Sequence, residues 1–233
     1  MVGNTNYDML KYTDTSDIRK KQGKKERGNR MPRYFEYGEK EIDYLKSKDK
    51  KLGAAIDKIG IIKREINPDP FISLISSIVA QQISGKAAET VWSRFENLLN
   101  DITPESIIKA DKSEIQKCGM SNRKVDYIKG IAEAAMTGQV DFENLHTLTD
   151  EEVIKKLSSL YGVGAWTAEM LLIFSFCRPD VVSYKDLAIC RGMMNLYGHK
   201  ELSKEQFERY KKRYSPYGTV ASLYLWELSI MKS

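Results

Sequence analysis

Leu157-Ser-Ser-Leu-Tyr-Gly-Val-Gly-Ala-Trp-Thr-Ala-Glu-Met-Leu-Leu172 decides how the rest of this 233-residue chain is read. The spacing ends one helix near Leu160, turns on Gly162 and Gly164, and starts a second helix at once. Two glycines around one apolar residue permit a tight turn and let another backbone come close. The second helix then opens with unpaired N–H groups and the positive end of its dipole, a setting that suits a phosphate. A bare Gly-x-Gly serves equally well as a plain turn between helices. Here Leu157, Leu160, Val163, Ala168, Leu171 and Leu172 surround it at spacings that pack two helices together. That is the helix-hairpin-helix pattern, and it points to a DNA backbone.

Outward from the hairpin the signals are helical almost throughout. Residues 71–82, 84–100, 165–176 and 217–231 read as helices. So does the segment from Ser121 to Gly138, with Val125, Ile128, Ile131 and Ala132 on one face. Thr149 with Glu152, and Ser203 with Gln206, fit the capping box, and Asp111 with Glu114 imitates it. Thr103-Pro104 marks another start, with proline at the first helical position. No alternating pair with a hairpin turn appears, so the expected class is all-α.

Composition narrows the setting. The richest apolar stretch, Phe71 to Ala80, is broken by three serines and falls short of the roughly 20 residues of a membrane helix. The N-terminus carries no apolar signal region. Three cysteines, Cys118, Cys177 and Cys190, give neither a disulfide framework nor a CxxC motif, so a reducing, cytoplasmic setting is expected. The net charge is +5, of which residues 1–30 supply +4. These residues read as a flexible basic extension, and Met31 as a possible native start. The other 203 residues are near neutral, so a nucleic-acid reading rests on local geometry and not on overall charge.

Twenty residues past Trp166 lies Asp186, within Arg178-Pro-Asp-Val-Val-Ser-Tyr-Lys-Asp-Leu-Ala-Ile-Cys-Arg-Gly192. With the Gly-Val-Gly hairpin, this segment resembles the helix-hairpin-helix DNA glycosylase superfamily, and is most similar to its 3-methyladenine DNA glycosylase II branch. Ala80-Gln-Gln-Ile-Ser-Gly-Lys-Ala-Ala88, Cys118-Gly-Met-Ser-Asn-Arg-Lys-Val-Asp-Tyr-Ile128 and Ser215-Pro-Tyr-Gly-Thr-Val-Ala-Ser-Leu-Tyr-Leu-Trp226 extend the likeness over about residues 67–230. The resemblance implies two helical subdomains flanking a cleft, with an inner block at about 70–175 closed by 31–69 and 176–233. It also implies hydrolysis of the N-glycosidic bond of an extruded, alkylated purine in double-stranded DNA. A monomer with no membrane association is expected.

The resemblance assigns roles residue by residue. Asp186 is the catalytic carboxylate; its bland alternative is to cap the helix beginning at Leu187. Trp166 stands where bifunctional relatives carry a lysine nucleophile, so no lyase activity is expected. Trp166 and Trp226 match aromatic positions of the base pocket, and Tyr184 lies two residues before Asp186. Gly162, Val163, Gly164, Ala165 and Thr167 would meet DNA. Gln82 falls where the family inserts a wedge, flanked by Gln81 and Ser84, and Ser84 equally fits a helix cap. Arg123 and Lys124 fit phosphate contacts or solvated positions. The carbonyls of Ser158, Leu160 and Val163 would hold a monovalent cation, Na+ or K+. No other cofactor is expected: His146 and His199 read as surface or packing residues, and no four-cysteine cluster follows Cys190 to hold iron and sulfur.

Three departures bear on this assignment. Lys185-Asp186 replaces a frequent pair of acids, Gly218 stands in place of a frequent arginine, and the β-rich domain of longer relatives is not expected before Asn67. The competing readings are a catalytically silent DNA-structure binder on the same scaffold, or a glycosylase for uracil or hypoxanthine.

Overall fold

The computed structural model describes residues 32–231, so the basic extension and the Met31 start lie outside the described residues. In chain order the elements are β1 (Arg33–Tyr34), α1 (Glu39–Lys48), α2 (Lys50–Ile59), β2 (Glu65–Ile66), α3 (Pro70–Ala80), α4 (Gly85–Leu99), α5 (Pro104–Lys109), α6 (Lys112–Lys117), α7 (Asn122–Met136), a 3-10 turn (Leu145–Thr147), α8 (Asp150–Ser158), α9 (Ala165–Phe174), α10 (Leu187–Tyr197), α11 (Lys204–Tyr214) and α12 (Gly218–Ile230). They form two compact units, Asn67–Phe176 and the described residues up to Ile66 with those from Cys177 onward.

Capping side chains set most of the helix starts. Thr103, Ser121, Thr149 and Ser203 each accept a backbone N–H at the positions their spacing indicates, and Pro104 opens α5. Asp111 holds no such bond. In the first unit Leu74, Ile75 and Ile78 of α3, Phe95 of α4, Ile107 of α5, Ile128 of α7, Leu157 of α8 and Ile173 of α9 are all fully buried. Lys129 of α7 closes the end of α5 by donating to the carbonyls of Ile107, Ile108 and Ala110 at 3.0, 3.0 and 2.6 Å.

Two sequence expectations need correcting. The 71–82 helix ends at Ala80, because Gln81 already turns to an extended ψ of 131° and Gln82 then takes a left-handed backbone with φ +57°. The almost wholly helical reading also missed an antiparallel pair of two-residue strands, with Arg33 opposite Ile66 and Tyr34 opposite Glu65. Runs this short carry no alternation to detect.

In the second unit α12 is buried from Gly218 through Trp226 and packs on α10, α2 and α1. Gly192 is where α10 and α12 touch: a Cβ there would lie 2.0 Å from the Leu225 carbonyl oxygen. Between α1 and α2 a buried Asp49 caps α2 and accepts from the Tyr197 hydroxyl at 2.6 Å and Arg213 Nη1 at 3.1 Å. Burial alone would raise this carboxyl. The bonds from Tyr197, the Leu52 N–H and Arg213 outweigh it and hold the group below the usual carboxylate value.

Candidate nucleic-acid interface and active site

The hairpin of the first unit joins α8 to α9. Val163 N–H donates to the Leu160 carbonyl at 3.1 Å, closing the turn, and Val163 and Leu160 are buried beneath it. Gly162 has φ +88°, and a Cβ on it would sit 2.3 Å from Cδ2 of the Tyr127 ring. Both constraints select glycine. Gly164 is the exposed N-cap of α9, so no side chain caps that helix start. Ala165 and Trp166 are half-buried and Thr167 is buried. Gly162→Ala is expected to lower stability by about 2 kcal/mol from clash and backbone strain combined. Thermal unfolding would record this as a Tm drop of about 4–8 °C; an unchanged Tm would mean that Tyr127 moves aside freely.

Two of the other candidates, Gln81 and Arg123, are tied to this turn, while Lys124 reaches α3 instead. Gln81 donates from Nε2 to the Gly162 carbonyl at 3.2 Å, so it ties the α3–α4 loop to the hairpin. Arg123 donates from Nε to the Tyr127 hydroxyl, and the Tyr127 ring supports Gly162. Lys124 is half-buried and donates to the Val79 carbonyl at 2.7 Å near the end of α3, so it is not a solvated side chain; burial lowers its ammonium pKa. Gln82 is exposed beside Gln81, in its left-handed conformation. Such strain costs roughly 1–2 kcal/mol and collects at working positions. Ser84 occupies the N-cap of α4 without a side-chain cap bond.

The second unit carries Asp186, which is 1% exposed. It is the N-cap of α10, and its Oδ1 accepts the N–H groups of Ala188 and Ile189 at 2.9 Å each. The cap reading is therefore correct as geometry. It does not compete with chemistry, because the two bonds fix the carboxyl's orientation. Around it Tyr184 and Leu187 stay 40% and 60% exposed, with Tyr184 set edge-on against Phe207 at 5.0 Å. Cys190 donates to the Tyr184 carbonyl, and burial, aided by Asp186, pushes its thiol up to about 11. Trp226 is buried, with the Arg64 guanidinium 5.9 Å from its ring centroid. Gly218 N–H donates to Asp180 Oδ1 at 3.0 Å, and a Cβ on Gly218 would come within 2.6 Å of that oxygen. A larger residue at 218 does not fit this packing.

Tyr127 and Tyr161 were not among the sequence candidates. The signal was available, since Arg123 and Tyr127 are spaced i,i+4 and share a helix face. Among the described residues no group of three or more His, Cys, Asp or Glu could hold a metal ion. No described helix is long and apolar enough to cross a membrane.

A glycine turn between two packed helices, followed by a helix start without a side-chain cap, defines a helix-hairpin-helix protein. The family described as HhH-GPD superfamily base excision DNA repair protein matches residues 75–216, and the chain belongs to it. It is 36% identical to DNA-3-methyladenine glycosylase 1 of Schizosaccharomyces pombe over 166 residues, 69% of this chain and 73% of that protein. The crystal structure of DNA-3-methyladenine glycosidase from Bacillus halodurans is similar at TM-score 0.77 and 37% identity, covering 85% of this chain and 93% of that one. The S. pombe 3-methyladenine DNA glycosylase in complex with abasic DNA gives TM-score 0.73 and 32% identity, covering 81% and 95%.

Proposed function

We propose that this chain is a monofunctional DNA glycosylase that hydrolyses the N-glycosidic bond of alkylated purines of the 3-methyladenine and 7-methylguanine type. The observation that carries the reading is Asp186, a buried carboxyl fixed by two backbone N–H groups in a chain of this family. The names of the similar glycosylases support the substrate class.

Chemistry on a paired base requires extrusion of its nucleotide from the duplex. The hairpin, through Gly162, Val163, Gly164, Ala165 and Thr167, holds the backbone of double-stranded DNA. Gln82 enters the vacated space, with its loop anchored by Gln81. Alkylation at N3 or N7 makes the purine cationic and a better leaving group; aromatic faces favour such rings, the role of Trp166, Trp226 and Tyr184. As the bond between C1′ and the base nitrogen breaks, its electron pair leaves with the base. Asp186 stabilises the positive charge left on the sugar, and water adds at C1′ through its oxygen and gives up one proton to solvent.

The carbonyls of Ser158, Leu160 and Val163 suit a monovalent cation, because the donor set is neutral oxygen with no carboxylate. Such an ion would add positive charge beside the bound phosphate. The enzyme acts as a monomer without another cofactor.

Base release from methylated duplex DNA tests the reading: free 3-methyladenine and 7-methylguanine are expected, with strands left intact at abasic sites. Binding of abasic DNA with no release would select the silent binder instead. Because Trp166 offers no amine, borohydride is expected to trap no enzyme–DNA adduct. A trapped adduct in the wild type would overturn the monofunctional assignment and direct attention to Lys185.

A further inference from the structure

One side chain of the hairpin turn is left out of its packing. Tyr161 is 73% exposed, while Leu160 and Val163 on either side of the turn are buried. Its ring meets Tyr127 edge-on, with centroids 4.9 Å apart and planes at 85°. Arg123, one helical turn before Tyr127 on α7, donates to the Tyr127 hydroxyl and holds its guanidinium 5.5 Å from that ring's centroid. The bond to Tyr127, followed by the proximity of the Tyr127 and Tyr161 phenols, raises the Arg123 pKa further. Among the described residues no carboxylate pairs with Arg123.

An exposed arginine ordinarily either pairs with an acid or samples many rotamers. Here it does neither, because neutral phenols orient the cation without cancelling its charge. Nε is engaged with Tyr127, and the terminal guanidinium nitrogens carry the remaining donors in a planar fork suited to phosphate oxygens. The Tyr161 hydroxyl supplies one more donor on the hairpin turn itself. We propose that Arg123 and Tyr161 form a second phosphate grip beside the Gly162–Gly164 turn, taking a neighbouring phosphate of the same DNA backbone. Tyr127 is the positioning residue: its hydroxyl aims Arg123, and its ring seats both Tyr161 and Gly162. The grip rests on the DNA reading above but not on base release, so the two can fail separately.

The test is binding of the full chain to a duplex with a stable tetrahydrofuran abasic analogue, titrated from 50 to 300 mM KCl. Arg123→Gln is expected to bind about tenfold more weakly at 100 mM salt, with a log–log salt slope shallower by about 0.9. Tyr161→Phe keeps the wild-type slope and loses about threefold to tenfold in affinity, as one exposed hydroxyl hydrogen bond of ordinary net worth is removed. Tyr127→Phe keeps the slope and loses about threefold, since the charge remains but is no longer aimed. Lys117→Gln removes an exposed charge of the same unit that is paired with Glu114 at 2.6 Å, and matches wild type. Melting curves identical to wild type exclude misfolding, as Arg123 and Tyr161 are both exposed. Wild-type affinity and slope in both Arg123→Gln and Tyr161→Phe, with tight binding by the parent, would overturn the grip and leave the glycosylase reading standing. Tight, Arg123-dependent binding with no base release from methylated DNA would uphold the grip and remove the glycosylase. No duplex binding by the parent would overturn both.

Discussion

Asp186→Asn is expected to fold like the parent and to lose base release by about a thousandfold. The amide keeps an oxygen in place of Oδ1, so Ala188 and Ile189 retain their acceptor at 2.9 Å. Asparagine caps helices about as well as aspartate. On the proposed function, what disappears is the carboxylate that steadies the sugar as it becomes cationic on departure of the base. Removing one preorganised electrostatic group from an active site typically costs 10²–10³ in rate, or about 3–4 kcal/mol of barrier. Single-turnover release of 3-methyladenine, together with a thermal melt, checks both halves. A variant within tenfold of wild type would mean that the buried carboxyl serves only as a cap. Asp186→Ala makes the contrast sharper, because it also loses about 1 kcal/mol of helix capping.

Gly192→Ala should be the most damaging small substitution in the second unit, lowering stability by about 3 kcal/mol or more. The added methyl would lie 2.0 Å from the Leu225 carbonyl oxygen, 2.7 Å from its carbon and 3.0 Å from its Cα. Those are backbone atoms, so no rotamer change relieves the conflict, and α12 is buried from Gly218 through Trp226 with no room to retreat. A fall in Tm of about 6–12 °C is expected by calorimetry. Leu225→Ala in the same chain would not rescue it, since the clash is with main chain. Rescue by that second change, or an unaltered Tm, would show that α10 and α12 are not held in this approach. Activity of the folded fraction should fall as well, because α10 begins at the residue after Asp186.

Helix starts were the part of the fold most legible in the sequence. Thr103, Ser121, Thr149 and Ser203 each satisfy backbone donors within four residues, so local pattern and outcome coincide. The end of α3 was not legible, because an apolar helical pattern running to Gln82 does not announce a left-handed residue there. For the site, the family resemblance names Gln81, and Lys124 reads as a phosphate contact or a solvated position, but neither reading foresees what they touch. Each meets a carbonyl distant in sequence, Gly162 and Val79 respectively. Asp49 went unnoticed because its partners Tyr197 and Arg213 lie well over a hundred residues away.

By itself the sequence determined the all-helical class, the glycine turn with its uncapped helix start, and Asp186 at the head of α10. Each depends on interactions spanning a few residues, whose chemistry is written in consecutive side chains. Only the tertiary structure decided that Gly162 must be glycine to clear Tyr127, that Gly192 must be glycine to admit the Leu225 carbonyl, and that Arg123 is aimed by a phenol. Those are steric and hydrogen-bonding facts between segments that meet only when the chain closes on itself, and no local periodicity encodes the distance between them.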